Sequence, residues 1–220
     1  MSSTAPDGAP VYAYALGDAL YLNVTSACTL ACVFCPKIRD DDWVVGGHDL
    51  RLTRPPTADE VWEQVVRAGL SGRPEVVFTG LGEPTRRLEV LLDVARRLRE
   101  AGVARVRVDT DGLANLREGR DVTPDLAAAG VGAVVVSLNA PDAATYARIC
   151  PNRHGEAAWE AVRGFIRAAL RHVPEVQASF VGMPGLDHDA CRREAESLGA
   201  IFRWRPYDRV GRLKELGGNA

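Results

Sequence analysis

The stretch Cys28-Thr29-Leu30-Ala31-Cys32-Val33-Phe34-Cys35 decides how this chain is read. Three cysteines fall within eight residues, directly after a β-prone run over residues 19–25. Three thiolates on one tight loop can ligate three irons of a [4Fe–4S] cubane and leave the fourth iron open. Electron-transfer clusters usually close on four cysteines instead. An open iron can chelate the amino and carboxylate groups of a ligand such as methionine. Structural zinc is the competing reading, but it takes four ligands, usually from paired Cys-x-x-Cys units. His48 is the candidate fourth ligand for that case.

Working outward, residues 11–16 and 19–25 are short β-prone runs separated by Gly17-Asp18, which reads as a hairpin whose second strand feeds the cysteines. Residues 40–42 and Gly46-Gly47 mark a long, exposed loop. Thr57 and Glu60 then form a capping box for a helix over residues 58–70. Strand patterns follow at 75–79, 103–109, 133–138, 175–181 and 201–206, with helical spacing at 88–101, 142–149, 156–171 and 189–198. The run at 133–138 is almost wholly apolar, as expected of a strand buried on both faces. Alternating strands and helices favour a parallel sheet with helices outside. Six such strands cannot complete an eight-unit barrel. The expected fold is therefore α/β, a partial (β/α)6-type barrel preceded by an N-terminal hairpin. Its expected span is residues 11–212, with a flexible start (1–10) and a loose tail (213–220).

At 220 residues, with 46% hydrophobic and 25% charged side chains, the chain is long enough for one domain with a full core. A net charge of −2 gives no general reason to expect nucleic acid or an anionic membrane as partner. Only two of the 27 basic residues are lysines, Lys37 and Lys214, a bias that reads as genome composition rather than a binding device. No apolar run approaches ~18 residues, and the first ten residues do not read as a signal peptide. Five cysteines, three of them crowded together, fit reduced thiols in a cytoplasm better than a disulfide framework.

The Cys-x3-Cys-x2-Cys spacing with Phe34 before the last cysteine resembles the radical S-adenosylmethionine (SAM) superfamily. A second signature, Gly80-Leu81-Gly82-Glu83-Pro84, ends the second main strand, where members carry a Gly-Gly-Glu-Pro-like element. The resemblance implies a [4Fe–4S] cluster on Cys28, Cys32 and Cys35 that reductively cleaves SAM. It also implies Phe34 near the adenine and Gly80, Gly82 and Glu83 around the methionine amino group. Thr110-Asp111-Gly112 and Ser137-Leu138-Asn139 end the next two strands, and they resemble the polar steps that meet the methionine, ribose or carboxylate of SAM. Asp111, Ser137 and Asn139 are accordingly candidate contacts. Such residues also serve as ordinary turn formers and caps. The likeness narrows to the small TatD-associated radical SAM proteins along most of the chain. It rests on residues 21–25, 77–85, 112–115, 119–124, 137–142, 190–192 and 205–207. It implies hydrogen abstraction from a small-molecule or unidentified substrate, with a low-potential donor such as flavodoxin or ferredoxin. The rival from another class is a non-catalytic iron–sulfur, SAM-binding redox sensor, with a zinc module third.

Arg203, Arg205 and Tyr207 alternate with Phe202, Trp204 and Pro206 on the last strand, so one face is polar. In a barrel that face can point into the cavity, where guanidinium groups suit a carboxylate or phosphate. Solvation at an open sheet edge is the alternative. Cys191 reads as a small buried side chain. Cys150 reads the same way, although its place before Pro151 leaves an approach to the site open. His154, His172 and His188 lack ligand-like spacing and read as solvated.

Overall fold

The computed structural model describes residues 9–207; most of the expected flexible start and all of the expected tail lie outside them. Gly17, at φ +57°, joins β1 (Ala13–Leu16) to β2 (Ala19–Leu22), and the two strands pair antiparallel as the hairpin reading requires. The segment after the cysteines differs from its expected long, exposed loop. It forms a short helix α1 (Pro36–Arg39) and a two-residue hairpin of β3 (Val44–Val45) and β4 (His48–Asp49). Gly46 and Gly47 turn that hairpin with φ +57° and +85°, the pair of positive values that a two-residue type I′ turn demands. Val45 and Leu50 are buried against Val11 and Tyr14, so this segment covers the hairpin of β1 and β2.

The chain then alternates as expected. α2 (Ala58–Ala68) begins at the Thr57–Glu60 capping box, both of whose hydrogen bonds are present. β5 (Val76–Phe78), α3 (Leu88–Glu100) and β6 (Val106–Thr110) follow. Two short helices, α4 (Ala114–Glu118) and α5 (Thr123–Ala128), separated by left-handed Gly119, cross to β7 (Ala133–Ser137). Each is too short to show a helical period in sequence. α6 (Ala143–Ile149) and α7 (Ala157–Ala169) lead to β8 (Glu175–Gly182), and α8 (His188–Ser197) leads to β9 (Ile201–Pro206).

The strands form one seven-stranded sheet in the order β1-β2-β5-β6-β7-β8-β9, parallel from β2 onward. Among the described residues β1 and β9 do not pair, so the barrel is partial. Successive side chains alternate between the two faces. Val106, Val108, Val134 and Val136 join the helix-side core, each burial contributing about 1.5–3 kcal/mol. Arg107, Asp109 and Val135 face inward and line a cavity. On β9 the same alternation sends Phe202 and Trp204 outward. His188, expected to be solvated, meets both of their rings edge-on, at 5.2 and 4.8 Å between ring centres. No described helix is long and apolar enough to cross a membrane.

Candidate active site

The cysteine loop is held from three sides. Asn23, buried just after β2, donates through Nδ2 to the carbonyls of Val11 and Leu50, both at 3.0 Å. The Glu83 N–H donates to the Ala27 carbonyl at 2.9 Å. Ala31 and Val33 donate to the carbonyls of Pro151 and Ile149 at 2.9 and 3.0 Å. Cys35 closes the loop by accepting on its carbonyl from Ile38 and Arg39, which starts α1. Lys37 reaches back to the Ser26 carbonyl at 3.0 Å.

Cys28, Cys32 and Cys35 are free, half-buried thiols lining a cavity of about 380 Å³ at the carboxyl ends of the parallel strands. Burial pushes the Cys28 thiol up to about 12, with the Glu83 carboxylate adding to the effect. Cys32 is held well above its ordinary value, first by its hydrogen bond with Cys150 and then by burial. Burial also raises Cys35. Ligation therefore has to displace protons, as it does wherever thiols take up metal. Among the described residues no three Cys, His, Asp or Glu side chains surround a point that one ion could take. His48 instead packs against the Tyr14 ring, 5.4 Å between centres. Thiols spread along a loop suit a polynuclear cluster, each meeting its own iron, better than a tetrahedral zinc site.

The Gly80–Pro84 turn lies beside this loop. Gly80 and Gly82 line the cavity with Phe34. Gly80 sits at φ +140°, and a Cβ on Gly82 would meet the Thr25 carbonyl oxygen at 1.9 Å. Glycine at 82 thus serves close approach of two backbones, the turn and the loop. Glu83 is buried and accepts three hydrogen bonds on Oε1 and one on Oε2. Its Oε1 accepts from the Thr85 N–H (2.9 Å), the Thr85 hydroxyl (2.6 Å) and the Thr110 hydroxyl (2.8 Å), and its Oε2 from the Asp111 N–H (2.6 Å). The carboxylate ties the end of β5 to the end of β6.

Asp111 is buried next to it, and desolvation together with Glu83 pushes its carboxyl up to about 8. Asn139 takes φ +58°, a strained conformation that asparagine tolerates better than most residues, and donates through Nδ2 to Cys150 Sγ at 3.4 Å. Ser137 ends β7, half-buried, and pairs in register with Ser179 of β8. Among the described residues, Asn139 Oδ1 and Ser179 Oγ are buried polar atoms with no protein partner. Ser179 was legible only as a hydroxyl inside an otherwise apolar run. Cys150 lies at the cysteine loop, its Sγ 3.5 Å from that of Cys32, so the approach left open for it is the arrangement found.

Arg203 and Arg205 line the cavity, together with Arg107 and Asp109 of β6. Tyr207 is not among the lining residues; its hydroxyl accepts from Arg39 Nη1 at 3.2 Å, joining the end of β9 to α1. Arg107 and Asp109 were missed in sequence, where the signal was two charged side chains alternating with the valines of β6.

A superfamily-wide sequence profile matches residues 22–198, from the end of β2 to the end of α8. The chain belongs to the radical SAM superfamily. A probable dual-specificity RNA methyltransferase RlmN of Salinibacter ruber is 29% identical over 192 residues, covering 81% of this chain and 48% of that protein. A GTP 3′,8-cyclase of Mycolicibacterium smegmatis is 33% identical over 153 residues, covering 67% and 39%. The chain thus spans about half or less of the length of these relatives. A radical SAM methyltransferase from Sphaerobacter thermophilus superposes with TM-score 0.57 at 25% identity, covering 88% of this chain and 57% of that one. Radical SAM proteins use a [4Fe–4S] cluster and SAM, and the donor set here fits both. Three thiols on one loop face a cavity, and among the described residues the buried polar atoms Asn139 Oδ1, just beyond β7, and Ser179 Oγ, within β8, lack a protein partner.

Proposed function

We propose that this radical SAM protein cleaves SAM to generate a radical that abstracts hydrogen from a small molecule held in the same cavity. The supporting observation is that Cys28, Cys32 and Cys35 sit on one loop facing that cavity, with further polar groups across it. When bound, the reduced cluster supplies one electron to the sulfonium of SAM, whose carbon–sulfur bond breaks to methionine and a 5′-deoxyadenosyl radical. The remaining work belongs to the chain. Cys28, Cys32 and Cys35 ligate, and Phe34 walls the cavity on the adenine side. Gly80 and Gly82 present backbone toward the methionine amino group, and Glu83 holds that turn while one face of Oε2 stays available to an ammonium. Asp111, Ser137 and Asn139 supply polar atoms around the methionine and ribose.

Within the superfamily we assign the chain to the TatD-associated group, on the stretches at 112–115, 119–124 and 137–142. We place it in a cytoplasm, where five free cysteines stay reduced and a flavodoxin or ferredoxin can deliver the electron. The RlmN relatives are named for RNA, and the net charge of −2 gives no general electrostatic reason to expect nucleic acid here. Anaerobic reconstitution with iron and sulfide, then reduction in the presence of SAM, tests the reading. About four irons per chain and formation of 5′-deoxyadenosine are expected. Cluster and SAM binding without turnover would instead mark a redox sensor.

A further inference from the structure

The inner face of the sheet carries a ladder of charges. Arg105, just before β6, bridges Glu75 at 2.6 Å and Glu175 at 2.7 Å. One layer up, Arg107 lies 3.2 Å from Glu75 and 3.3 Å from Asp109. In the layer that opens on the cavity, Arg203 reaches among the described residues only the neutral Gln177, at 3.3 Å. Arg205 makes no hydrogen bond or ion pair among the described residues. Among the described residues the carboxylate acting on it is that of Asp109, already engaged by Arg107, while Arg203 and Arg107 repel it. Four guanidinium groups thus face three carboxylates, and the cation left over sits in the wall that Cys28, Cys32 and Cys35 also line. Burial pushes the Arg205 pKa down and the Asp109 pKa up, as for charges short of solvent.

A half-buried guanidinium without a counter-ion of its own is costly, and a chain that only needed to fill this space would do better with an apolar side chain. Arginine also presents a planar fork of donors, which matches the two oxygens of a carboxylate or phosphate. We infer that Arg205, assisted by Arg203, binds an anionic group of the substrate, a phosphate or a carboxylate, and so holds the substrate in the cavity that the cysteine loop faces. The inference deepens the radical-enzyme reading and rests on it for the word substrate, although the anion site itself can be measured alone. Asp109, paired with Arg107, acts on Arg205 through space and does not cancel both charges.

Isothermal titration of the reconstituted, SAM-loaded protein under anaerobic conditions tests this, with inorganic pyrophosphate and glutarate as probes. One of the two binds the wild type, and the preferred one identifies the group as phosphoryl or carboxylate. Arg205→Met weakens that binding about ten- to a hundredfold, the worth of a lost charge-assisted contact. Arg205→Lys, which keeps the charge but not the fork, loses less, and Arg67→Met on the exposed face of α2 changes nothing. If neither probe binds, or Arg205→Met and Arg205→Lys both bind the probe like wild type, the inference is overturned. If Arg205→Met weakens SAM itself as much as the probe, the guanidinium holds the SAM carboxylate and the substrate assignment falls. Arg205-dependent probe binding in a protein that forms no 5′-deoxyadenosine would uphold the anion site while the radical reading fails.

Discussion

Cys150 stands directly across from Cys32. The hydrogen bonds from Ala31 to Pro151 and from Val33 to Ile149 set residues 31–33 antiparallel to 149–151, so residues 32 and 150 face one another. Their sulfurs lie 3.5 Å apart. They occupy the non-hydrogen-bonded position of an antiparallel pair, where side chains approach most closely. Pro151 has no N–H, so that side of the pairing carries one hydrogen bond rather than two.

In cluster-free protein, oxidised glutathione is expected to join Cys32 to Cys150. The two protein thiols lose two protons and two electrons to glutathione disulfide, which leaves as two glutathione thiols, and the protein sulfurs join as a disulfide. Peptide mapping under non-reducing conditions reads the linkage. Cys32 joined to Cys28 or Cys35 instead would mean that the facing arrangement is not the one populated.

Cys28→Ala, Cys32→Ala and Cys35→Ala are each expected to lose the cluster, because a cubane left with two thiolates on this loop is under-ligated. Cys191→Ala and Cys150→Ala should keep it, since Cys191 lies on the buried face of α8 and Cys150 lies behind Cys32. Iron and sulfide content after anaerobic reconstitution is the measurement. Full content in Cys35→Ala would sink the three-thiolate assignment.

Gly82→Ala places a methyl group 1.9 Å from a backbone oxygen that cannot rotate away. Overpacking against backbone falls at the upper end of the usual range, about 3 kcal/mol. Thermal unfolding should shift down by roughly 6–12 °C in a chain of this size. A Tm within a degree or two of wild type would mean that the turn and the cysteine loop are not in close contact.

Glu83→Ala strands the Thr110 hydroxyl and the Asp111 N–H in a buried site, at an expected cost of at least about 2 kcal/mol. Glu83→Gln keeps one oxygen for the three donors at Oε1 and loses chiefly the bond from Asp111, so it should cost about 1 kcal/mol. Urea unfolding of the two variants ranks them. A weaker SAM affinity in Glu83→Ala, by one to two decades, is also expected if the carboxylate meets the methionine ammonium. Equal stability of both variants and wild type would demote the four hydrogen bonds.

Acid should weaken the ladder at its lower end. The Arg105 guanidinium holds the Glu175 carboxyl below its ordinary value. A carboxylate with a depressed folded-state pKa contributes stability above its unfolded value, near 4.5, and loses it as pH falls through the lower folded value. Arg105→Met should therefore destabilise by about 1 kcal/mol at neutral pH, with the gap to wild type closing below about pH 4. A gap that persists unchanged at pH 3 would assign the loss to the packing of the arginine stem.

The sequence by itself determined the hairpin, all six parallel strands, the larger helices and the cysteine loop. Each is written in a local signal: a Gly17 turn, the Thr57–Glu60 box, period-two apolar runs, three cysteines in eight residues. It was silent on the helices α4 and α5 and misread residues 40–49, because two-residue strands and single-turn helices are shorter than the periods that reveal them. What only tertiary structure decided are contacts between residues far apart in the chain. Cys150 meets Cys32 across 118 positions, because α6 delivers it to the loop. Arg107 and Asp109 share a cavity with Arg203 and Arg205, because parallel pairing through β7 and β8 brings β6 and β9 onto one curved inner face. Alternation along a strand tells which residues share a face, but the curl and register of the whole sheet decide which faces meet, and those arise from packing summed over every strand and helix.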